Sequence, residues 1–305
     1  MEQLLNQLID ECRGFTLKGS LASYIPELTK ANSEALGICV IDLDGNIHQA
    51  GDFNTRFTIQ SVSKVVTLIY ALEQYGEHVF TRIGVEQTAD AFNSIIKLET
   101  RNNGKPLNPL INAGAIATTS FIAEREGKEA FLKLSNFLRK LAHNDEISVN
   151  EAVFRSENRT GDVNRALAYY QKGAKTFNAE VDHVLDVYFR MCSLEIQVKD
   201  LAQIARVLAN NGVIQETGER VFSKDTARMT KAIMMTCGLY DSSGRFALDV
   251  GIPSKSGVGG GILSVVPGRY GIGTVGPALD DKGNSAAGVE ILKRLSQRMN
   301  LSIFE

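Results

Sequence analysis

The sequence predicts an α+β fold in which one antiparallel sheet, with flanking helices, is assembled from the two ends of the chain around an all-helical insertion. Two observations support this prediction. β-prone runs punctuated by Gly and Pro lie near both termini, and three-to-four spacing of apolar residues dominates between them. No internal repeat or low-complexity linker divides the 305 residues. We therefore expect one folded unit with a sheet part, residues 1–60 and 240–305, and a mainly helical part, residues 61–239.

The N-terminal part is predicted to begin with a helix and to continue as a hairpin. Residues 1–14, MEQLLNQLIDECRG, have the apolar spacing of an amphipathic helix. Residues 36–51 contain two β-prone runs around Asp44-Gly45, a dipeptide that supplies the positive φ angles of a tight turn. These residues are therefore predicted to form an antiparallel pair of strands.

The middle of the chain is predicted to be helical. From Ser61 to Tyr75 apolar residues lie on most faces, which indicates a buried helix, and Gly76 is its expected end. The same periodicity predicts helices over residues 108–126, 128–142, 162–172, 178–192, 198–211 and 224–236.

The C-terminal part is predicted to return to strands. Short β-rich runs are separated there by Gly and Pro: RFALDVG, GGGILSVVPG and RYGIGTVGP. A closing helix is predicted from about residue 284 to residue 299.

Charge and hydropathy exclude several classes of partner. A net charge of −2 at pH 7 and a pI near 6.2 give no basic surface for a polyanion, so we expect no nucleic-acid partner. No apolar run approaches the roughly 20 residues of a membrane span. The N-terminus lacks the basic start and apolar stretch of a secretory signal. We therefore expect a cytoplasmic protein that does not associate with membranes.

The cysteines and histidines form no disulfide or metal pattern. The four cysteines are scattered without a CxxC pair, and the four histidines lack HExxH spacing. Buried, reduced thiols are the expected state of the cysteines. We expect no metal site.

A Ser-x-x-Lys motif opens the predicted buried helix. The spacing of Ser61 and Lys64 places both on one helical face, whereas Ser63 points elsewhere. A serine hydroxyl becomes a good nucleophile when a base takes its proton, and a lysine can be that base if burial lowers its pKa. The alternative interpretation is a serine cap followed by a surface lysine. A second copy, Ser94 to Lys97, lies in a segment of mixed polarity and lacks such a frame.

The second motif is a glycine-rich segment that begins with Lys255-Ser256-Gly257. Its glycines run to Gly261 and lead into a β-prone run, so they would let a ligand or another backbone approach closely. A flexible turn or bulge is the alternative. A phosphate-binding loop is disfavoured, because its glycines should follow a strand and open a helix.

The order of these two motifs leads to a family resemblance. Ser-x-x-Lys on a core helix, followed much later by Lys-Ser-Gly on a strand, is typical of penicillin-recognising serine enzymes. Six further segments, spread over essentially the whole chain, add to this likeness: SYIPELTKAN, FTIQSVSKVV, NPLINAGAI, SENRTGDVNRALAY, MMTCGLYDSSGRFALDVGIPSKSGVGGGI and PALDDKGNSAAGVEIL. Together they resemble the serine-dependent glutaminases, whose fold is similar to that of serine β-lactamases. The resemblance implies a β-lactamase-like fold and hydrolysis of the side-chain amide of L-glutamine to L-glutamate and ammonia.

The resemblance also implies the roles of individual residues. Ser61 would be the nucleophile and Lys64 its base, while Tyr240 would relay a proton between them and the leaving ammonia. The backbone N–H groups of Ser61 and Val258 would hold the oxyanion. The glutamine pocket would be lined by Tyr24, Ser61, Asn112, Glu157, Asn164, Tyr188, Tyr240 and Val258. No cofactor is implied, and a homodimer or homotetramer is expected.

Each pocket residue meets a need of glutamine. Glu157 is the natural partner of the α-ammonium, and Asn112 and Asn164 can donate amide N–H groups to the α-carboxylate. Without the resemblance, Glu157 would be a surface residue near two arginines. The asparagines would satisfy their own helix starts, and the tyrosines would be half-buried packing residues.

Three other functions are compatible with the sequence. A β-lactamase or D-alanyl-D-alanine peptidase would share the fold, but the absence of an export signal argues against it. A non-catalytic binding module on the same fold is the second alternative, which the joint presence of Ser61, Lys64 and Lys255 weakens. A glycine-rich nucleotide binder is the third.

Overall fold

The computed structural model describes residues 1–88 and 104–305, and a five-stranded antiparallel sheet lies at its centre. The strands of the described residues are β1 Gly37–Asp42, β2 Ile47–Gly51, β3 Phe57–Thr58, β4 Glu195–Ile196, β5 Val213–Ile214, β6 Glu219–Arg220, β7 Ser254–Ser256, β8 Gly261–Val266 and β9 Tyr270–Val275. The order in the central sheet is β2-β1-β9-β8-β7, so the N-terminal strand β1 pairs directly with the C-terminal strand β9. The predicted sheet, built from both ends of the chain, is confirmed.

The predicted hairpin is also confirmed. In the pairing of β1 with β2, Gly37 lies opposite Gly51 and Ile41 lies opposite Ile47. The turn between these strands contains Gly45 at a φ of +93°, a conformation that residues with a Cβ rarely adopt.

Helices cover both faces of the sheet and form the middle of the chain. Short 3-10 turns precede or follow several of them, among them Gln60–Val62 and Tyr240–Ser242. The α-helices are Glu2–Cys12, Ser63–Tyr75, Asn112–Glu126, Ala130–Ala142, Glu151–Thr160, Asp162–Gly173, Val181–Cys192, Val198–Ala209, Lys224–Cys237, Ser243–Asp249 and Ala286–Met299.

Two apolar clusters hold these layers together. On one face, the terminal helices pack side chains such as Leu8 and Ile291 against Ile38 and Ile272 of the sheet. On the other face, the helix Val198–Ala209 lies across the central strands and joins them to the helical middle. The division into parts 1–60 with 240–305 and 61–239 stays a prediction.

The buried helix that follows Ser61 is confirmed. The helix Ser63–Tyr75 is buried from Ser63 to Leu72 and ends at Gly76, as predicted. Its α-helical part begins two residues later than predicted, because Ser61 lies in the preceding 3-10 turn.

Two of the helices were not expected from the sequence. RFALDVG, residues 245–251, was predicted to be a strand, but its first five residues belong to the helix Ser243–Asp249, in which Ser243 and Phe246 are buried three residues apart. The helix Glu151–Thr160 was not predicted. Its buried face carries Ser156 and Glu157 beside Val153 and Phe154, so polar residues interrupt the apolar periodicity.

No helix among residues 1–88 and 104–305 is long and apolar enough to cross a membrane. The second Ser-x-x-Lys copy, Ser94 to Lys97, lies outside the described residues.

Candidate active site

Ser61 and Lys64 are in contact, as their spacing predicts. Lys64 Nζ lies 2.9 Å from Ser61 Oγ, and both side chains are buried. Ser63 points away from them and donates its hydroxyl to the carbonyl of Gln60. The 3-10 turn places Ser61 just before the helix Ser63–Tyr75, where the first backbone N–H groups have no partner within the helix.

The environment of Lys64 matches that of a base. Its side chain is 2% exposed, and burial lowers its pKa to about 8, although Cys192 and Glu157 act in the opposite direction. Nζ also donates to Asn112 Oδ1 at 2.6 Å. This lowered pKa agrees with the prediction made for Lys64, and its burial excludes the alternative of a surface lysine.

Asn112 is a hydrogen-bond partner of Lys64 that lies on another helix. It is the first residue of the helix Asn112–Glu126, and its Nδ2 donates to Asn164 Oδ1 at 3.0 Å. Its side chain is therefore hydrogen-bonded to Lys64 and Asn164 and does not cap its own helix. One amide hydrogen of Asn112 is used in this contact, which the sequence did not indicate.

Glu157 is a buried carboxylate with one free oxygen. It is 6% exposed, and burial raises its pKa to about 8, while Lys64 and a hydrogen bond from Gln60 lower it. Its Oε2 has no hydrogen-bond partner among the described residues. Since buried polar atoms are rarely left unpaired, this oxygen marks a place for an external donor. The alternative of a surface Glu157 is excluded.

Gln60 is a site residue that sequence reasoning missed. Its backbone has a φ of +48°, which a residue with a Cβ rarely adopts, directly before Ser61. Its side chain reaches both Thr58 and Glu157. Neither the backbone conformation nor this contact has a signal in the sequence.

Two cavities adjoin at Tyr24, which is 51% exposed. A smaller one, of about 130 Å³, is lined by Asn112, Glu157 and Asn164 as well as Tyr24. A larger one, of about 460 Å³, is lined by Tyr24 together with Tyr240 and Val258. Six of the predicted site residues therefore line these two adjoining cavities.

Two buried tyrosines complete the site. Burial raises the pKa of Tyr188 well above its ordinary value, and Glu157 and Tyr240 add to this effect. Burial raises the pKa of Tyr240 to about 12, although its hydroxyl is hydrogen-bonded to Ser61 and donates to the carbonyl of Ser256 at 3.3 Å. Both side chains therefore remain protonated near neutral pH and can donate.

The glycine-rich segment lies against Ser61. A Cβ added to Gly257 would be 3.3 Å from the backbone nitrogen of Ser61, and one added to Gly259 would be 2.3 Å from the carbonyl oxygen of Thr58. The segment leads from β7 into β8, as the sequence predicts. The Val258 N–H, between these glycines, donates to no protein acceptor in the described part of the chain. Two backbone N–H groups are therefore available for an oxyanion.

No group of three or more His, Cys, Asp or Glu side chains within residues 1–88 and 104–305 could hold a metal ion.

Curated relatives extend over the whole chain. A family model described as Glutaminase matches residues 19–304. A glutaminase from Clostridium tetani is 55% identical over 305 residues, which is 100% of both chains. Glutaminase 2 of Clostridium perfringens is 52% identical over the same length.

Solved structures agree with these relatives. A Bacillus glutaminase crystallised in 4.3 M NaCl has a TM-score of 0.91 and 42% identity, with 98% of each chain covered. A Bacillus subtilis glutaminase in covalent complex with 5-oxo-L-norleucine has a TM-score of 0.90 and 39% identity, with 99% of each chain covered. The predicted β-lactamase-like fold and the resemblance to serine-dependent glutaminases are confirmed. This chain belongs to the glutaminase family.

Proposed function

We propose that this chain hydrolyses the side-chain amide of L-glutamine to L-glutamate and ammonia through an acyl-enzyme formed on Ser61. The observation that carries the proposal is the contact of Ser61 Oγ with the buried Lys64 Nζ at 2.9 Å. A buried carboxylate, Glu157, lies in the same site with one oxygen unpaired. Together these groups supply a nucleophile, a base and a receptor for an ammonium group.

Lys64 activates the nucleophile in its neutral form. A neutral amine has two N–H groups and one lone pair. When one N–H is donated to Asn112 Oδ1, the lone pair can face the hydroxyl of Ser61. The depressed pKa of Lys64 provides this neutral form near pH 8.

The pocket fits the amino acid end of the substrate. Glu157 Oε2 accepts from the α-ammonium, a charge-assisted bond that replaces the missing partner of a buried oxygen. The α-carboxylate receives hydrogen bonds from the neutral donors Asn112, Asn164, Tyr24 and Tyr188. A relative supports an amino acid substrate, because it forms a covalent complex with 5-oxo-L-norleucine, an α-amino acid with a carbonyl at the carbon that carries the side-chain amide in glutamine.

The reaction proceeds in two halves. Lys64 takes the proton of Ser61, Oγ attacks the amide carbon, and the N–H groups of Ser61 and Val258 hold the oxyanion. The carbon–nitrogen bond then breaks, and ammonia leaves with the proton that Lys64 returns through Tyr240. In the second half a water molecule gives one proton to Lys64 and adds to the acyl carbon. Glutamate leaves as the proton returns to Ser61.

Ammonia release from L-glutamine, L-asparagine and D-glutamine tests the proposal. L-Glutamine should react at least about a hundredfold faster than L-asparagine, because one methylene moves the amide out of line with fixed oxyanion donors. Equal rates would contradict the assignment. Hydrolysis of nitrocefin without ammonia release would favour a β-lactamase, and inactivity on every substrate would favour a binding module.

Two serine variants identify the nucleophile in the same assay. Ser61→Ala should abolish ammonia release, since no other hydroxyl in the site contacts Lys64 among the described residues. Ser94→Ala, in the second Ser-x-x-Lys copy, is the matched control and should keep wild-type activity. The opposite pair of results would move the active site to the other copy.

We also propose that the protein is cytoplasmic and forms a homodimer or homotetramer, as the family resemblance implies. The cysteines Cys12, Cys39, Cys192 and Cys237 are free and buried, which fits a reducing compartment. Cell fractionation tests the location, and light scattering of the purified protein tests the oligomeric state. A secreted protein or a monomer would contradict the respective proposal.

A further inference from the structure

A second buried lysine lies beside the site and has no role in the reaction described above. Lys255 of β7 is 0% exposed. Its Nζ donates to the carbonyl oxygens of Gly238 at 2.9 Å and of Ser256 at 2.6 Å. It forms no salt bridge with any described residue, so two neutral carbonyls replace the carboxylate that a buried lysine ordinarily needs.

These two carbonyls belong to the segments that hold Tyr240. Gly238 lies two residues before Tyr240 in the chain, and its carbonyl also accepts from the backbone nitrogen of Ser256 at 3.2 Å. Lys255 Nζ lies 4.1 Å from the centroid of the Tyr240 ring, within the range of a cation–π contact. Lys255 therefore contacts both the backbone that leads into Tyr240 and the face of its ring.

Tyr240 needs such support because its backbone is strained. Its φ is +55°, in the left-handed region, where a bulky side chain is uncommon. Strained conformations of this kind persist only when the surrounding structure fixes them. The contacts of Lys255 supply part of that constraint.

The carbonyl of Ser256 links the lysine to the tyrosine hydroxyl. It accepts from Lys255 Nζ and also from the Tyr240 hydroxyl at 3.3 Å, and this hydroxyl is hydrogen-bonded to Ser61. If Lys255 were removed, both this carbonyl and that of Gly238 would lose a donor. The hydroxyl would then lose its fixed position beside Ser61.

We propose that Lys255 is a positioning residue that holds Tyr240 against Ser61 through the carbonyls of Gly238 and Ser256 and through the face of the ring. The inference rests on the proposed function, in which Tyr240 passes a proton to the leaving ammonia. Lys255 touches neither substrate nor nucleophile in this account. Burial and the nearby Lys64 lower the pKa of Lys255, and the amine keeps the two N–H groups that these carbonyls require in either protonation state.

A double-mutant cycle on L-glutamine hydrolysis tests the proposal. Lys255→Met fills the same space without donating. It should lower kcat at least about thirtyfold with KM within about threefold, because the α-ammonium and α-carboxylate contacts lie elsewhere. Tyr240→Phe should lower kcat at least about tenfold in the wild-type background. In the Lys255→Met background it should lower kcat less than about threefold, because the hydroxyl is already misplaced there.

Lys231→Met is the control. Lys231 is partly buried and donates to Asn211 Oδ1, and it lines neither of the two cavities that adjoin at Tyr24, so this variant should keep wild-type kcat.

Thermal unfolding of each variant separates positioning from folding. If Lys255→Met does not fold, the cycle is repeated with Lys255→Gln, which keeps an N–H donor and should recover part of kcat. Independent effects of Lys255 and Tyr240 would overturn the proposal, and so would failure of both Lys255 variants to fold. A wild-type protein that releases no ammonia would instead contradict the proposed function.

Discussion

Asn112 Oδ1 accepts a 2.6 Å hydrogen bond from Lys64 Nζ, on a lysine that also lies 2.9 Å from Ser61 Oγ. The amide is a neutral acceptor. It can orient the amine without stabilising its charged form as strongly as a carboxylate would. The identity of residue 112 therefore controls the pKa of Lys64, and with it the fraction of Lys64 that is neutral and can act as a base.

Asn112→Asp should move the pH dependence of kcat to higher pH. A carboxylate at this distance raises a lysine pKa by roughly 1 to 3 units, so the rising limb near pH 8 should shift upward by about that amount. Turnover of L-glutamine at pH 7.5 should fall at least about eightfold, because the neutral fraction of Lys64 falls by that factor for a shift of about one unit. Rate profiles between pH 6 and 10 measure the shift.

Asn136→Asp is the matched control for this prediction. Asn136 accepts from Arg139 on an exposed helical face, so its variant should leave the profile unchanged. An unshifted limb in Asn112→Asp would show that Lys64 does not set the pH dependence.

Glu157→Gln should weaken binding and change its proton balance. In the wild type, burial raises the pKa of the Glu157 carboxyl to about 8. Below that pH the carboxyl of the empty site is protonated, and binding of the α-ammonium must displace this proton. Apparent affinity for L-glutamine should therefore fall as pH drops below 8, and binding at pH 7 should release a proton. Removing the charge in Glu157→Gln should weaken the binding free energy of L-glutamine by on the order of 2 to 5 kcal/mol.

Calorimetry in buffers of different ionisation enthalpy measures the released proton. The wild type and Glu219→Gln, which changes an exposed partner of Lys140, should both release it, whereas Glu157→Gln should not. Near wild-type affinity in Glu157→Gln would mean that another group receives the ammonium.

The sequence predicted the elements whose burial follows a regular period, and it missed those in which polar side chains face inward. The hairpin and the helix Ser63–Tyr75 have clear apolar patterns. The helix Glu151–Thr160 does not, because the polar residues Ser156 and Glu157 lie on its buried face beside Val153 and Phe154.

The site could be predicted only as a set of residues. Spacing alone places Ser61 beside Lys64, since both belong to one helical turn. The contact between Asn112 and Lys64 joins residues 48 positions apart, and it depends on helix packing that no local pattern encodes. The left-handed backbones of Gln60 and Tyr240 also follow from tertiary structure.

Gly259→Ala should damage the oxyanion site. The new Cβ would lie 2.3 Å from the carbonyl oxygen of Thr58, so the segment that carries the Val258 N–H must move. Loss of one oxyanion donor lowers kcat by roughly 100-fold to 1000-fold. Gly244→Ala is the control, since nothing lies within 4 Å of its added Cβ. Steady-state kinetics that do not distinguish the two variants would remove Val258 from the mechanism.

Turnover of L-glutamine by Lys64→Arg distinguishes a Lys64 that acts as a base from one that supplies only a positive charge. Arginine keeps the charge but stays protonated throughout the accessible pH range. Lys64→Arg should therefore be as inactive as Lys64→Ala, with kcat at least about a thousandfold below the wild type. If Lys64→Arg keeps more than about a tenth of wild-type turnover, the lysine supplies only charge, and the role of base passes to Tyr240 or another group.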